Sequence, residues 1–213
     1  KFIDETPELF DIEESRDRAT RVLRYIANIQ VANPDVQRRE YSSPRYPEAT
    51  REITRADGLK ELLDTQGPEA VSKWVMGQKK LLITDTTMRD AHQSLLSTRM
   101  RTRDMVKGAE GTADALADCF SLEMWGGATF DTAYRFLYES PWERLIMLRE
   151  KIPNIPFQML LRGSNLVGYA SYPDNLVYAF IGESAKYGID VFRVFDSLNW
   201  IPSMETAMEA VLG

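Results

Sequence analysis

Cysteine and histidine are nearly absent from this chain. Its 213 residues hold one Cys, Cys119, and one His, His92. A lone Cys excludes an internal disulfide and a multi-Cys zinc site. A lone His excludes any site that takes two or more histidines from this chain. No apolar run approaches the ~18–20 residues of a membrane-spanning helix. The opening Lys1–Pro7 is polar and acidic and lacks a signal-peptide core. A soluble cytoplasmic protein without membrane partners is expected. Positive charge is also short: 26 Lys and Arg face 32 Asp and Glu, a net charge of −6. A broad nucleic-acid-binding surface is therefore not expected. What is present is ordinary globular material, 44% hydrophobic and 27% charged, which excludes a disordered or collagen-like chain. The chain begins at Lys rather than Met, so a fragment is expected.

The pattern changes near Lys80. Before it, Ser15 reads as the cap of a helix over roughly Arg16–Val31, with Val22, Leu23, Ile26 and Ile29 at helical spacing. Asn33-Pro34-Asp35 and a segment with Ser42, Ser43, Pro44 and Pro47 read as loop. A short helix follows from Asp57, with Leu59, Leu62 and Leu63 inward. Gly67-Pro68 ends it and opens another, with Val71, Trp74 and Val75 as the buried stripe.

After Lys80 four short apolar runs appear: Leu81–Thr84, Phe120–Met124, Ile155–Leu161 and Val191–Phe195. They start about 35–39 residues apart, and helical patterns follow each. The helices read as Thr102–Leu116, Thr129–Tyr138 with Pro141–Glu150, Asp174–Tyr187 and Pro202–Leu212. Such alternation implies a parallel sheet covered by helices. The period fits one unit of an eight-fold β/α barrel, in which about 250 residues divide among eight units. A doubly wound sheet fits nearly as well, but no Gly-rich dinucleotide fingerprint or phosphate loop follows any run. The expected fold is α/β, a TIM (β/α)8-type barrel with only its first four units present, preceded by a mainly helical segment.

The first run leads into Thr84-Asp85-Thr86-Thr87-Met88-Arg89-Asp90-Ala91-His92-Gln93-Ser94. Sites in parallel α/β folds form at the carboxyl ends of strands. Asp90 suits a hard divalent cation. Arg89 suits a substrate carboxylate or a developing enolate. Gln93 can donate and accept, and so can orient a ligand. A polar loop whose Asp85 or Asp90 caps a helix is the other reading of these residues.

Four motifs resemble the carboxyltransferase domain of the pyruvate carboxylase family. They are Asp85–Arg99, Glu123–Asp131, Gln158–Tyr169 and Phe192–Asn199, and together they cover roughly residues 80–213. Arg18–Val31 resembles the linker after the biotin carboxylase domain of single-chain members, which feeds a small allosteric and tetramer-forming domain. The resemblance implies residues 1–79 as helical linker and allosteric segment, and 80–213 as the amino-terminal half of the barrel.

It further implies carboxyl transfer from carboxybiotin, carried on a biotin carrier domain, to pyruvate, giving oxaloacetate. Arg89, Gln93 and Arg162 match positions that bind pyruvate and stabilise its enolate. Asp131 and Tyr169 match residues lining the biotin pocket, and Asp90 matches a ligand of a divalent metal (Zn, Mn or Mg). ATP serves a domain not in this chain, acetyl-coenzyme A is the expected activator, and a homotetramer is expected in the full-length form. The location is cytoplasmic, or the mitochondrial matrix in a eukaryote. The family's His-x-His pair and carbamylated Lys lie downstream, so this chain alone is expected to be inactive. A related barrel decarboxylase or transcarboxylase subunit, and a non-catalytic assembly module, are the alternatives. Read from the residues alone, Arg162 projects from the end of the third strand and fits a carboxylate substrate or a rim salt bridge, Asp131 fits a solvated helix face, and Tyr169 a core aromatic. Arg18, Arg21 and Arg24 form a basic stripe, which reads as an allosteric contact or as a solvated face.

Overall fold

The structure is a computed structural model and describes Thr20, residues 23–28 and residues 57–213. The described residues fall in two units that divide between Glu48 and Ala49. In the first, Thr20 and residues 23–28 are helical and exposed. Leu23 and Ile26, expected on a buried stripe, are 65% and 51% exposed. Ser15, Arg18, Arg21, Val22, Ile29 and the Pro-containing loop lie outside the described residues.

The second unit opens with α1 (Leu59–Gly77), which is kinked where Gly67 takes φ 79° ahead of Pro68. That φ is left-handed and suits only glycine without strain. The expected break at Gly67-Pro68 is thus a sharp bend between two helical pieces. Leu59 alone is fully buried; Leu62, Leu63, Val71, Trp74 and Val75 are half-buried.

Four strands follow, β1 (Thr84–Asp85), β2 (Ser121–Trp125), β3 (Phe157–Leu161) and β4 (Val191–Val194). They form one parallel sheet in the order β1-β2-β3-β4. Between them run α2 (His92–Leu96), α3 (Thr102–Ala115), α4 (Gly127–Thr132), α5 (Pro141–Lys151) and α6 (Asp174–Lys186). The last helix, α7 (Pro202–Leu212), follows β4. Sequential parallel neighbours joined by helices make the expected β/α succession of a TIM-barrel fragment. The first apolar run differs: only Thr84 and Asp85 pair as strand, while Leu81 is 87% exposed.

Side chains alternate between the two sheet faces. Leu122 lies opposite Phe157, Met159 opposite Phe192, and Leu161 opposite Val194. These apolar residues pack with Met105 and Ala109 of α3, Leu145 and Leu148 of α5, and Val177 and Ile181 of α6. The other face carries Thr84, Ser121, Glu123, Gln158 and Arg193, which is the interior face of a barrel. The register shifts between Glu123 and Trp125, so Trp125 pairs with Met159 and turns to the helix side. There it meets Phe130 and Trp142 edge-on, with ring centroids 4.8 and 4.9 Å away.

Candidate functional site

The carboxyl end of β1 enters a π-helical turn, Thr87–Ala91, that continues into α2. Asp85 starts that turn by accepting from the Thr87 N–H at 3.0 Å and the Thr87 hydroxyl at 2.9 Å. Thr86 stands at the N-cap without a side-chain cap bond, so neither Asp85 nor Asp90 is the cap, and Asp85 makes a local turn to Thr87 instead. Arg89 is buried, and its Nε and Nη2 both bind Glu123 Oε1. Its Nη1 donates to Asp90 Oδ1 at 2.7 Å. Asp90 is half-exposed, with 48% of its side chain open.

Glu123 is 1% exposed and joins three strands. Its Oε2 accepts from Gln158 Nε2 at 2.9 Å and from Arg193 Nη2 at 2.7 Å. Behind it, Gln158 Oε1 accepts from Ser121 Oγ at 3.2 Å, and Ser121 Oγ lies 2.8 Å from Thr84 Oγ1. A buried carboxylate is tolerable only when it is paired and hydrogen-bonded, and this one has two guanidinium partners and an amide.

Arg162 follows the end of β3, and its Nη1 donates to the Gly168 carbonyl at 3.1 Å. Gly126-Gly127, at the end of β2, lies between the two site arginines. A Cβ on Gly126 would stand 3.0 Å from Arg89 Cδ, and one on Gly127 would stand 2.8 Å from the Arg162 guanidinium. The pair of glycines is thus the floor that admits both side chains to one strand end. The Arg162 guanidinium lies 5.4 Å from the Tyr169 ring centroid. Tyr169 is 75% exposed, so it is a surface ring rather than a core aromatic. Tyr169 and Asp131 line one cleft with Phe130, Tyr134, Arg135 and Tyr172. Asp131 is held by Arg135, one turn along the helix, at 2.8 Å.

Arg89 and Arg162 therefore meet around Gly126-Gly127, with Asp90 tied to Arg89, and with Tyr169 beside Arg162 and sharing a cleft with Asp131. Gln93 is half-buried in the first turn of α2, and no hydrogen bond among the described residues ties it to either arginine. His92 is buried, with Nε2 2.8 Å from the Met88 carbonyl. Burial pushes its pKa down, and the Arg144 and Arg89 charges add to this against the Met88 contact.

No group of three or more His, Cys, Asp or Glu among the described residues could hold a metal ion. Asp90 alone supplies an oxygen, one of its oxygens is shared with Arg89, and Glu123 is taken up by Arg89 and Arg193. A divalent cation needs several such ligands. The described residues do not make a metal site, and Asp90 offers one ligand to it at most.

Reading the sequence missed Glu123, Gln158, Arg193 and the Gly126-Gly127 floor, although each stands in a motif singled out above. The available signal was a polar residue inside an apolar strand: Glu123 between Leu122 and Met124, and Gln158 between Phe157 and Met159. Strands of a parallel sheet are ordinarily near-continuous apolar runs.

No model of a protein family matches the chain. Over 99% of its length the chain is 57% identical to a pyruvate carboxylase from Staphylococcus aureus and spans 19% of that protein. Among solved structures it is similar to the carboxyl transferase domain of Rhizobium etli pyruvate carboxylase with pyruvate and biocytin. That match has a TM-score of 0.74 and 53% identity, covering 80% of this chain and 28% of the other. It is also similar to a Rhizobium etli pyruvate carboxylase with the allosteric activator acetyl coenzyme-A. There the TM-score is 0.76 at 50% identity, covering 99% of this chain and 19% of the other. The chain therefore spans about a fifth of the length of such relatives, and over nearly its whole length it matches a segment of pyruvate carboxylase that takes in part of the carboxyl transferase domain.

Proposed function

We propose that this chain forms the pyruvate side of a biotin-dependent carboxyltransferase site, the ligase-class carboxylase giving oxaloacetate. The observation that carries the reading is the convergence of Arg89 and Arg162 on Gly126-Gly127 at the strand ends, beside the cleft of Asp131 and Tyr169. Pyruvate is a small carboxylate whose enolate gains charge on oxygen. A guanidinium meets a carboxylate through two parallel N–H bonds, which suits Arg162. Arg89 uses Nε, Nη1 and Nη2 on Glu123 and Asp90, and a guanidinium has five N–H donors. The donors beyond those bonds are aimed by a buried scaffold, as enolate stabilisation requires. Gln93 orients the substrate, and Asp131 and Tyr169 line the biotin pocket. Carboxybiotin, when bound, supplies the carboxyl group. Water has to be held away from the transfer, which would otherwise lose the carboxyl as bicarbonate.

In the same reading residues 80–213 are the first half of the barrel, 1–79 are linker and allosteric segment, and Asp90 is one of several ligands of a divalent metal. The full-length protein uses ATP and biotin, works as a homotetramer activated by acetyl-coenzyme A, and resides in the cytoplasm or, in a eukaryote, the mitochondrial matrix. Arg24 belongs to a stripe that responds to the activator. No helix among the described residues is long and apolar enough to cross a membrane. The test is oxaloacetate formation by the full-length protein from pyruvate, bicarbonate and ATP. Synthesis that depends on all three is expected; ATP-independent decarboxylation of oxaloacetate alone would contradict the reading. The isolated chain with free carboxybiotin is expected to form none.

A further inference from the structure

We propose that Glu123 is a positioning residue that sets the orientation of Arg89 for the reacting substrate, with Arg193 as the second cation sharing its charge. The inference rests on the pyruvate carboxyltransferase reading above and adds two residues to its machinery.

Glu123 lies in the middle of β2 on the interior face, not at the strand end where substrate is received. It is too deeply buried, at 1% exposure, to meet a ligand itself. Its two oxygens do separate tasks. Oε1 takes Nε and Nη2 of Arg89 together, a side-on pairing that fixes the guanidinium plane. Oε2 takes Gln158 from β3 and both Nε and Nη2 of Arg193 from β4, at 3.1 and 2.7 Å for the arginine. The Thr84–Ser121–Gln158 chain then fixes the amide that fixes the acid. The Arg89 side chain, pinned in this way, presents its remaining N–H groups in one direction only.

Arg193 has an electrostatic part as well. Glu123 and Asp90 together bring two negative charges to Arg89, and Arg193 supplies the second positive charge that balances them. Half of the Arg193 side chain is exposed, so it reaches the interior face without being walled in. With the second carboxylate balanced in this way, the Arg89 charge is left to favour an enolate over the ground-state ketone.

The experiment compares Glu123→Gln with wild type in the full-length protein. The variant keeps the shape and one acceptor oxygen and removes the charge. We expect kcat for carboxyl transfer to fall about tenfold or more, with KM for pyruvate within about threefold, because transition-state binding is lost selectively. Inhibition by oxalate, a planar dianion with the charge of an enolate, should weaken about tenfold, while ATP-driven biotin carboxylation stays within about twofold. An unchanged kcat and oxalate affinity would overturn the proposal. So would equal losses in kcat, pyruvate affinity and biotin carboxylation, which a merely structural role produces. If Glu123→Gln does not fold, Arg193→Gln decides: a several-fold lower kcat with weaker oxalate binding supports the proposal, and wild-type values overturn it. A wild-type protein that does not carboxylate pyruvate overturns the underlying reading instead.

Discussion

The two ends of the strands each set an arginine against a carboxylate, to opposite effect. At the amino ends, Arg149 donates to the carbonyls of Ile152 at 3.1 Å, Ile155 at 2.9 Å and Gly188 at 2.9 Å, and to Asp190 at 2.5 Å. Its guanidinium lies 3.5 Å over the Phe157 ring. Asp190 is itself taken up by the Phe157 N–H at 2.8 Å and by Lys60 of α1 at 3.2 Å. Protein groups close on that arginine, and it ties the loops before β3 and β4 to α1. At the carboxyl ends, Arg89 is pinned along one edge and Arg162 keeps a single described carbonyl partner beside an open cleft. A buried arginine holds the fold where the backbone consumes its donors. It serves a site where a carboxylate aims the donors that remain.

That contrast can be broken most sharply at Arg89. Arg89→Gln should lower carboxyl transfer by about 10²–10³-fold, the usual cost of removing one stabilising donor group. Arg149→Met should do the reverse. It leaves Asp190 with Lys60 and the Phe157 N–H, removes the donors to the Ile152, Ile155 and Gly188 carbonyls, and should cost about 1–3 kcal/mol of stability while the surviving folded protein keeps its turnover. A calorimetric melt alongside the rate assay separates the two.

Gly127→Ala probes the floor. The added Cβ meets only the far end of a flexible side chain, so Arg162 moves and the fold does not. We expect kcat/KM for pyruvate to fall about ten- to hundredfold with an almost unchanged Tm, since small misplacements of a binding group are expensive.

A smaller effect sharpens the structural side. Burial alone would raise the Glu139 pKa, but the Thr102 hydroxyl and N–H, then Arg144, outweigh it and hold it at about 2. Its folded value lies below its ordinary 4.5, so its contribution is complete above about pH 5 and is lost as pH falls toward 2. The Tm gap between wild type and Glu139→Gln should therefore be constant near neutrality and close in acid. The smallest change expected is at Ser140, whose hydroxyl accepts from the Glu143 N–H at the start of α5. Ser140→Ala should cost about 1 kcal/mol in denaturant melts and leave catalysis untouched.

Much of the β/α succession was legible in the sequence because burial and periodicity are local properties. Pro202–Leu212 and the start of α5 at Pro141 follow from proline at the first helical turn. The first strand was misplaced because Leu81 and Ile83 are apolar yet exposed, and only Thr84 and Asp85 reach β2. The motif at Arg89 was visible as a cluster of polar residues after an apolar run. Its organisation was not, because Glu123 and Arg193 stand 34 and 104 positions away, and strand register alone brings Glu123 to Arg89 and Arg193 to Glu123. Asp131 and Tyr169 acquire a common cleft for the same reason: α4 and the loop after β3 meet in space, not in sequence.

The most direct test is isotope exchange between pyruvate and oxaloacetate in the full-length protein, which reports carboxyl transfer without ATP chemistry. Exchange is expected in the wild type and lost in Arg89→Gln, with ATP-driven biotin carboxylation intact in both. Exchange that persists undiminished in Arg89→Gln would contradict the role of Arg89 in the transfer.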